Sequence, residues 1–535
     1  MAKKELKYYP RDEVNSIVEI AERAKRLYGD SIAYVYKERR QRVEKTYIDL
    51  VEDSKNFAQM LLRKNLKKGH VAIIGASSYW YIVSYYAAMY AGLVIVPLDK
   101  ELGFDDVYEQ MEKADVDFFL YDKTYKDYGE LVTEKSEGKI ETFCINNPVV
   151  NDGEDVPFPE VDPDKLSTII FTSGTTGKGK GVMLTQRNIA RNVVAGGSHC
   201  KVYPGKDVSL SVLPMNHAYE CLGNMFLTVY FGVTVCISSG LRHIAKELIE
   251  YKPSVLFAVP LIPQMLTDKV WSTAKKEGKE EKLKLGIKIC NIAKKFGIDL
   301  TDKILGEVKA AFGGRIRMII AGGAPVTQNL VESCGDLGIK IIQGYGLSEC
   351  SPLLAFNFDY YQKPDSCGRI VKGCEMKVVD GELWAKGVSI SSGYYNDPEN
   401  TAENFVDGWF KTGDMGHIDE DGFVFITGRK KNLIILGNGK NVAPEGIEED
   451  IEKAIPYVSE VVVLGIDDKL CAAIYIDEES GATEQQLHDD IAAFNKNTPV
   501  YKQITSIYVS ETPFPRTTTK KIIRRKVEEF VESKR

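Results

Sequence analysis

The sequence offers no soft-ligand metal motif. Its ten cysteines are scattered, with no C-x-x-C pair and no four-ligand Cys/His cluster, so a zinc site is not expected and a reduced, cytoplasmic setting is the simplest reading. The N-terminus, MAKKELKYYPRDEV, lacks an apolar signal core. Excess positive charge is also missing: the formal net charge is −7, which argues against a nucleic-acid partner. One long stretch, Val71 to Leu98, carries no charged residue and is long enough to span a bilayer. Gly75 and Gly92 divide it, however, into a strand (Val71–Ile74), a helix (Ser77–Tyr90) and a strand ending at Pro97, which reads as a buried βαβ unit. The tyrosines of that helix are expected to pack with their hydroxyls at the rim. Membrane contact is expected to be peripheral at most.

The chain has 535 residues, 44% of them hydrophobic and 27% charged, which suits a globular enzyme of two or more domains. Helical and strand patterns alternate up to about residue 165. Tyr47-Ile48-Asp49-Leu50 leads into an amphipathic helix reaching Leu62, and Asp115–Tyr121 reads as a further strand. This is α/β with a largely parallel sheet. A loop rich in Pro, Asp and Glu, residues 147–164, precedes the stretch on which the rest turns.

That stretch is Thr172 to Gly181, TSGTTGKGKG. An apolar run, Leu166 to Phe171, leads in and Val182-Met183-Leu184 follows, giving strand, glycine-rich turn, strand. Glycines let backbone N–H groups approach a polyanion, hydroxyls add donors, and lysines add charge. The chemistry this suits is a triphosphate; the alternative is a mobile surface loop. A Walker A loop does not fit, because Gly181 stands where its Ser or Thr should be and a strand follows where a helix should start.

The pattern resembles the TSGTTG-x-PKG signature of the adenylate-forming superfamily, which includes acyl-CoA synthetases, adenylation domains of peptide synthetases and luciferases. Gly179 stands where proline is usual, Lys180 and Gly181 match, and Gln186 replaces a frequent histidine. The resemblance makes Thr172, Ser173, Gly174, Thr175, Thr176, Gly177 and Lys180 triphosphate ligands, with Thr175 also beside the metal. Further motifs follow in family order. Ser209 to His217, SLSVLPMNH, reads as a strand ending in a turn with His217, Tyr219 and Glu220 at its end. It is similar to the L-P-x-x-H-x-x-E of the long-chain type, which implies that His217 lines the acyl pocket. Gly322-Gly323-Ala324 follows a strand, Ile316–Ala321, and by resemblance forms a wall of the adenine site. In Gln343-Gly344-Tyr345-Gly346-Leu347-Ser348-Glu349, two glycines free the face of one aromatic ring, and Glu349 is a hard-oxygen candidate for Mg²⁺.

Residues 381–419 read as short strands and turns. Thr412-Gly413-Asp414 resembles the ribose motif; Arg429 matches the arginine that also reaches the ribose, and Lys431 the hinge. The last hundred or so residues read as helix (Gly446–Ile455), strand (Glu460–Ile466), strand (Leu470–Ile476) and helix (Glu484–Asn495). They end in PRTTTKKIIRR, where Lys521 aligns with the adenylation lysine and Lys520 takes the place of a glycine. Gly437, Gly439 and Lys440 form a turn that can let a pantetheine arm pass. The lysine-rich stretch Ala274–Lys303 reads by default as solvated helix faces, with contact to anionic lipid or CoA phosphates left open.

The resemblance implies an α/β fold: a large N-terminal domain (1–429) with mainly parallel sheets and a small β-rich subdomain, hinged to a small α+β lid domain (430–535). It implies MgATP-dependent activation of a medium- or long-chain fatty acid as acyl-AMP, then transfer to the thiol of CoA, with Lys521, Glu349, Thr175 and His217 as the catalytic set. No covalent enzyme nucleophile is needed, so the lack of a Ser or Cys triad is no obstacle. An acyl carrier protein as acceptor, a fatty acyl-AMP ligase, and a non-catalytic nucleotide-binding regulator are the alternatives. Oligomeric state is open, a homodimer included.

Overall fold

The strand–turn–strand reading of the glycine-rich stretch is borne out at both of its flanks. In the computed structural model of the chain, which describes residues 6–147, 149, 153–172, 179–436, 440–467, 469–476, 480–516 and 522–535, Leu166–Thr172 and Lys180–Thr185 form an antiparallel pair with Thr172 opposite Lys180. They end a six-stranded sheet in the order Glu141–Cys144, Phe118–Tyr121, His70–Ile74, Val94–Pro97, Leu166–Thr172, Lys180–Thr185, in which every pairing except the last is parallel. Asp115 takes a positive φ of 51°, so the strand expected from Asp115 begins only at Phe118.

Tight packing divides the chain into two units. One runs up to Val326 and adds Leu330–Glu375 and Ala385–Phe410; the other holds Thr327–Asn329, Met376–Trp384 and Lys411–Arg535. A second sheet of the first unit runs Gly368–Ile370, Leu353–Phe356, Ile341–Gly346, Met318–Ala321, Val255–Ala258, Val208–Ser211, Thr234–Ile237, Ile32–Glu38, Gln41–Thr46. Its central strands are parallel. The amphipathic helix starts at Tyr47 itself and runs to Arg63, because Thr46 and Asp49 close a capping box there.

The uncharged segment is a βαβ unit: His70–Ile74 pairs in parallel with Val94–Pro97, and the helix Tyr79–Tyr90 between them is buried at every position except Trp80. Among the described residues no helix is long and apolar enough to cross a membrane. The hydroxyls of this helix are not all at a rim. Tyr85 bonds to Thr168 at 3.0 Å and Tyr86 donates to the Met225 carbonyl at 2.7 Å, both in the interior. Tyr81 is fully buried, and its hydroxyl has no partner among the described residues. An unpaired buried hydroxyl costs about 1–3 kcal/mol, so the acceptors matter. The acceptor for Tyr86 comes from Cys221–Leu227, a stretch of π-helix, whose wider turn frees carbonyls. Tyr34 and Thr228 donate to the Asn224 carbonyl at 3.2 and 2.9 Å, and Tyr86 takes the next one.

This π-helix changes the reading of the LPMNHAYE stretch. The strand is only Val208–Ser211, and His217 caps a short helix, Ala218–Glu220, that runs on into it. Tyr219 and Glu220 therefore sit on a helix rather than at a strand end.

In the second unit, Asp414–Ile418 pairs antiparallel with Val424–Arg429. The chain closes on a three-stranded sheet, Val458–Ile466, Lys469–Ile476 and Ile504–Ser510, with helices Pro444–Ala454, Glu484–Lys496 and Arg524–Lys534. The third strand, parallel to its neighbour, and the terminal helix add to the helix–strand–strand–helix pattern read from sequence. Residues 398–404, read as strand and turn, form a helix capped by Asp397 with Pro398 in its first turn.

Candidate functional site

Lys180 opens the strand that leaves the glycine-rich turn; residues 173–178 lie outside the described residues, and with them Ser173, Gly174, Thr175, Thr176 and Gly177. The two ends of the turn are fastened. Lys113 donates to the Gly179 carbonyl at 2.8 Å, and Thr172 Oγ1 reaches the Lys180 carbonyl at 3.5 Å. The Lys180 ammonium stands 5.1 Å from the ring centre of Tyr394. The hydroxyl of that ring donates to Glu349 Oε1 at 3.0 Å. Tyr394 thus joins the loop lysine to the carboxylate that the sequence marks as a metal ligand. Burial, and then the Glu349 charge, hold the Tyr394 hydroxyl's pKa well above its ordinary value, so it remains a donor.

A strap holds this trio together. Residues 391–395 run beside the outgoing strand: Met183 N–H donates to the Gly393 carbonyl at 3.0 Å and Tyr395 N–H to the Gly181 carbonyl at 2.7 Å. At the strap's start, Ser391 N–H donates to the Glu349 carbonyl at 2.7 Å, and Ser391 Oγ reaches the Met183 carbonyl at 2.8 Å. Gly393 sits at φ 138°, where a Cβ would also strike Thr401 at 2.5 Å. Sequence reasoning passed over Tyr394; its only local signal is S-S-G-Y-Y between short strands.

Glu349 lies in the short 3₁₀ turn Ser348–Cys350, is buried, and follows the strand Ile341–Gly346 that carries Gln343, Gly344 and Tyr345. Gly346 has no room for a side chain: a Cβ there would meet the Pro352 carbonyl at 1.8 Å. Gln343 Nε2 donates to Cys367 Sγ at 3.5 Å. The neighbouring strand end, Gly322-Gly323-Ala324, follows Met318–Ala321.

These two strand ends enclose a narrow cavity of about 80 Å³. Gly322, Gly323, Gly344, Tyr345 and Gly346 line it together with the apolar Leu222, Leu227, Phe257, Leu353 and Phe356. Glycine makes the space: a Cβ on Gly223 would come within 2.8 Å of Phe257, and one on Gly344 within 3.1 Å of Phe356. Tyr219 lines the cavity and is pinned across it, donating to the Ile320 carbonyl at 2.7 Å. His217, two residues earlier, is half-buried at the helix N-cap, outside the lining.

In the second unit Asp414 and Arg429 face each other in register, with Arg429 Nε 2.7 Å from Asp414 Oδ1. Asp414 is buried, and the neighbouring Glu382 accepts from Gly413 N–H at 3.1 Å and from Lys430 at 2.9 Å. Lys431 is exposed in the turn Lys430–Asn432. Lys440 packs its ammonium 4.1 Å over the Tyr501 ring. Gly437, Gly439, Lys520 and Lys521 lie outside the described residues.

The first unit brings the flanks of a glycine-rich turn, a buried carboxylate and a largely apolar cavity onto one α/β framework, and a small α+β unit follows it in the chain. Comparison with known proteins places it: the family described as AMP-binding enzyme matches residues 20–395, and its C-terminal domain matches 431–533. The chain belongs to this family, the adenylate-forming superfamily of the sequence resemblance. It is 30% identical over 451 residues to the long-chain-fatty-acid–CoA ligase FadD15 of Mycobacterium tuberculosis, covering 77% of this chain and 73% of that one. It is 27% identical over 523 residues to the 2-succinylbenzoate–CoA ligase of Bacillus cytotoxicus, covering 95% and 97%. Among solved structures, the O-succinylbenzoate coenzyme A synthetase of Bacillus subtilis in complex with ATP and magnesium has the same fold, with a TM-score of 0.75 at 23% identity over 95% of this chain and 99% of that one. Adenylate-forming acyl-CoA ligase is the class of activity these relatives support.

Proposed function

We propose that the chain activates a medium- or long-chain fatty acid as its acyl-adenylate and transfers the acyl group to CoA. The observation that carries this reading is the cavity, whose lining joins the glycines of the expected nucleotide motifs to a set of apolar side chains. The acid's carboxylate attacks the α-phosphate of ATP and pyrophosphate leaves. The CoA thiol then attacks the acyl carbon and AMP leaves. Adenylation is needed because oxide is a poor leaving group.

In this reading Lys180 and the turn Thr172–Gly177 neutralise the triphosphate, Asp414 and Arg429 take the ribose hydroxyls, and Lys521 bridges the acyl carboxylate and the α-phosphate. The donor set suits Mg²⁺, since Glu349 supplies a hard, buried oxygen that Tyr394 holds in place; with Thr175 it would keep an ion whose charge offsets that of the phosphates. Residues 1–429 carry adenylation and 430–535 form the lid, turning at Lys431, with Gly437, Gly439 and Lys440 admitting the thiol arm and His217 near the reacting carboxylate.

Tyr394→Phe removes one hydrogen bond to a charged group, worth about 1.5–3 kcal/mol. Pyrophosphate release is expected to fall about tenfold or more, with the loss largest at limiting magnesium and the melting temperature little changed. An unaltered magnesium dependence would show that the hydroxyl does not position Glu349 for the metal.

The substrate is tested with a carboxylate panel from acetate to palmitate plus 2-succinylbenzoate, each run with CoA, with acyl carrier protein and with neither. Each buried methylene contributes about 0.8 kcal/mol, so kcat/KM should climb about fourfold per methylene until the cavity ends. Gly223→Val, which crowds Phe257, should flatten the climb while leaving KM for ATP unchanged. An aromatic acid or acetate outperforming every fatty acid would sink the fatty-acid reading. The 2-succinylbenzoate ligases that match nearly the whole chain make that arm of the panel decisive.

A further inference from the structure

The helix Glu280–Lys295 is apolar on two opposite faces. Its inner face, Leu283, Gly286, Ile287 and Cys290, is buried and packs against Leu305 and Leu337. On the other side Leu285, Ile289, Ile292 and Phe296 are 58%, 41%, 49% and 78% exposed. Their spacing of four, three and four places them in one stripe along the helix and over its C-terminal end. Ile298, just past the turn at Gly297, is 55% exposed and extends the apolar tip.

Charge frames this stripe. From Lys282 to Phe296 the chain has five lysines and no acidic residue, within a protein of net charge −7. Helical geometry sets Lys288 and Lys295 along one border and Lys282 along the other. Lys284 pairs with Glu280 and Glu281, and Lys294 donates to the Gly335 carbonyl. Lys282, Lys288 and Lys295 have no carboxylate partner among the described residues, so their charge is not neutralised within the protein.

We propose that this face docks on an anionic lipid bilayer, the helix lying in the plane of the surface with its stripe at the headgroup–acyl boundary and the three lysines on lipid phosphates. A second copy of the chain fits less well: a two-fold contact through the stripe would set one lysine-bordered edge against another, and like charges across an interface oppose association. The inference is independent of which acid the enzyme activates.

The test is flotation of the full chain with vesicles of phosphatidylcholine alone and of phosphatidylcholine with about 30% phosphatidylglycerol. The protein should float with the anionic vesicles and far less with neutral ones. Lys282→Gln, Lys288→Gln and Lys295→Gln should each lower the partition coefficient about fivefold, and Phe296→Ser about tenfold or more. All four positions are exposed, so the melting temperature should hold. Phe296→Trp supplies a second readout, with emission moving to the blue on adding anionic vesicles. The proposal fails if the protein stays in the soluble fraction with both vesicle types, or if Phe296→Ser floats like the parent. It also fails if the protein alone sediments as a dimer that Phe296→Ser converts to monomer.

Discussion

Replacing Glu349 with glutamine is expected to cut ATP-dependent pyrophosphate release about a thousandfold. The substitution keeps the shape and an oxygen to accept the Tyr394 hydroxyl, now at 3.0 Å, so the strap and the fold should survive with little change in melting temperature. What it removes is one negative charge. A unit charge about 4 Å from its counter-ion, at an effective dielectric of roughly 20, is worth about 4 kcal/mol, which is about three orders of magnitude in rate if felt in the transition state. Excess magnesium should rescue turnover only in part, because mass action restores occupancy and not the position that Tyr394 enforces. Titrating magnesium against initial rate for the two proteins decides the matter. Full activity of Glu349→Gln at low magnesium would place the metal elsewhere.

Features written locally in the chain could be read from sequence. The hairpin around the glycine-rich turn follows from two apolar runs and the residues between them, and the βαβ unit at Val71–Leu98 from its glycines and its lack of charge. What sequence could not supply are contacts between distant segments. Tyr394 meets Glu349 across 45 positions and Lys180 from another strand, so nothing near it in the chain signals its place. The buried hydroxyls of Tyr85 and Tyr86 were unreadable for the same reason: Thr168 and the π-helix that receive them lie far along the chain, and no periodicity announces a π-turn. The lysine-rich stretch was legible in part, its lysines being exposed as solvated faces require. Its abundant charge suggested solvated faces, yet Leu285, Ile289 and Ile292 alternate with the core positions Leu283, Ile287 and Cys290, and only packing shows which set is inside. In the site itself, sequence pointed to Glu349 and the glycines around Tyr345, while the cavity between strand ends emerged only when the two ends were seen to face each other.

The stability of the protein is expected to fall as pH rises from about 5 to 8, and Glu220 should be a principal cause. Its side chain is wholly buried. Oε1 accepts from Ser211 Oγ at 2.5 Å and from Asn224 Nδ2 at 3.0 Å, while Oε2 has no partner among the described residues. Burial pushes the carboxyl's pKa up to about 8, against the smaller opposing effect of those two hydrogen bonds. In the unfolded chain a glutamate titrates near 4.3. Between those values the native state keeps a proton that the unfolded state has released, so unfolding gives up a proton and stability drops as pH rises, by about 1.4 kcal/mol per unit at most. The contribution is complete below about pH 4.3 and gone above the native pKa near 8. Glu220→Gln imitates the neutral acid at every pH. Denaturant melts at pH 5, 6, 7 and 8 should therefore show the variant close to the parent at pH 5 and more stable by a few kcal/mol at pH 8. Parallel pH dependences would mean that Glu220 is already ionised in the native protein, which its burial and lone Oε2 oppose. The same proton reaches the site. Tyr219 and Leu222, on either side of Glu220 in the chain, line the apolar cavity, so ionisation at pH above 8 should loosen that wall. KM for the acid should then rise with pH in the parent and not in Glu220→Gln, while KM for ATP stays level in both.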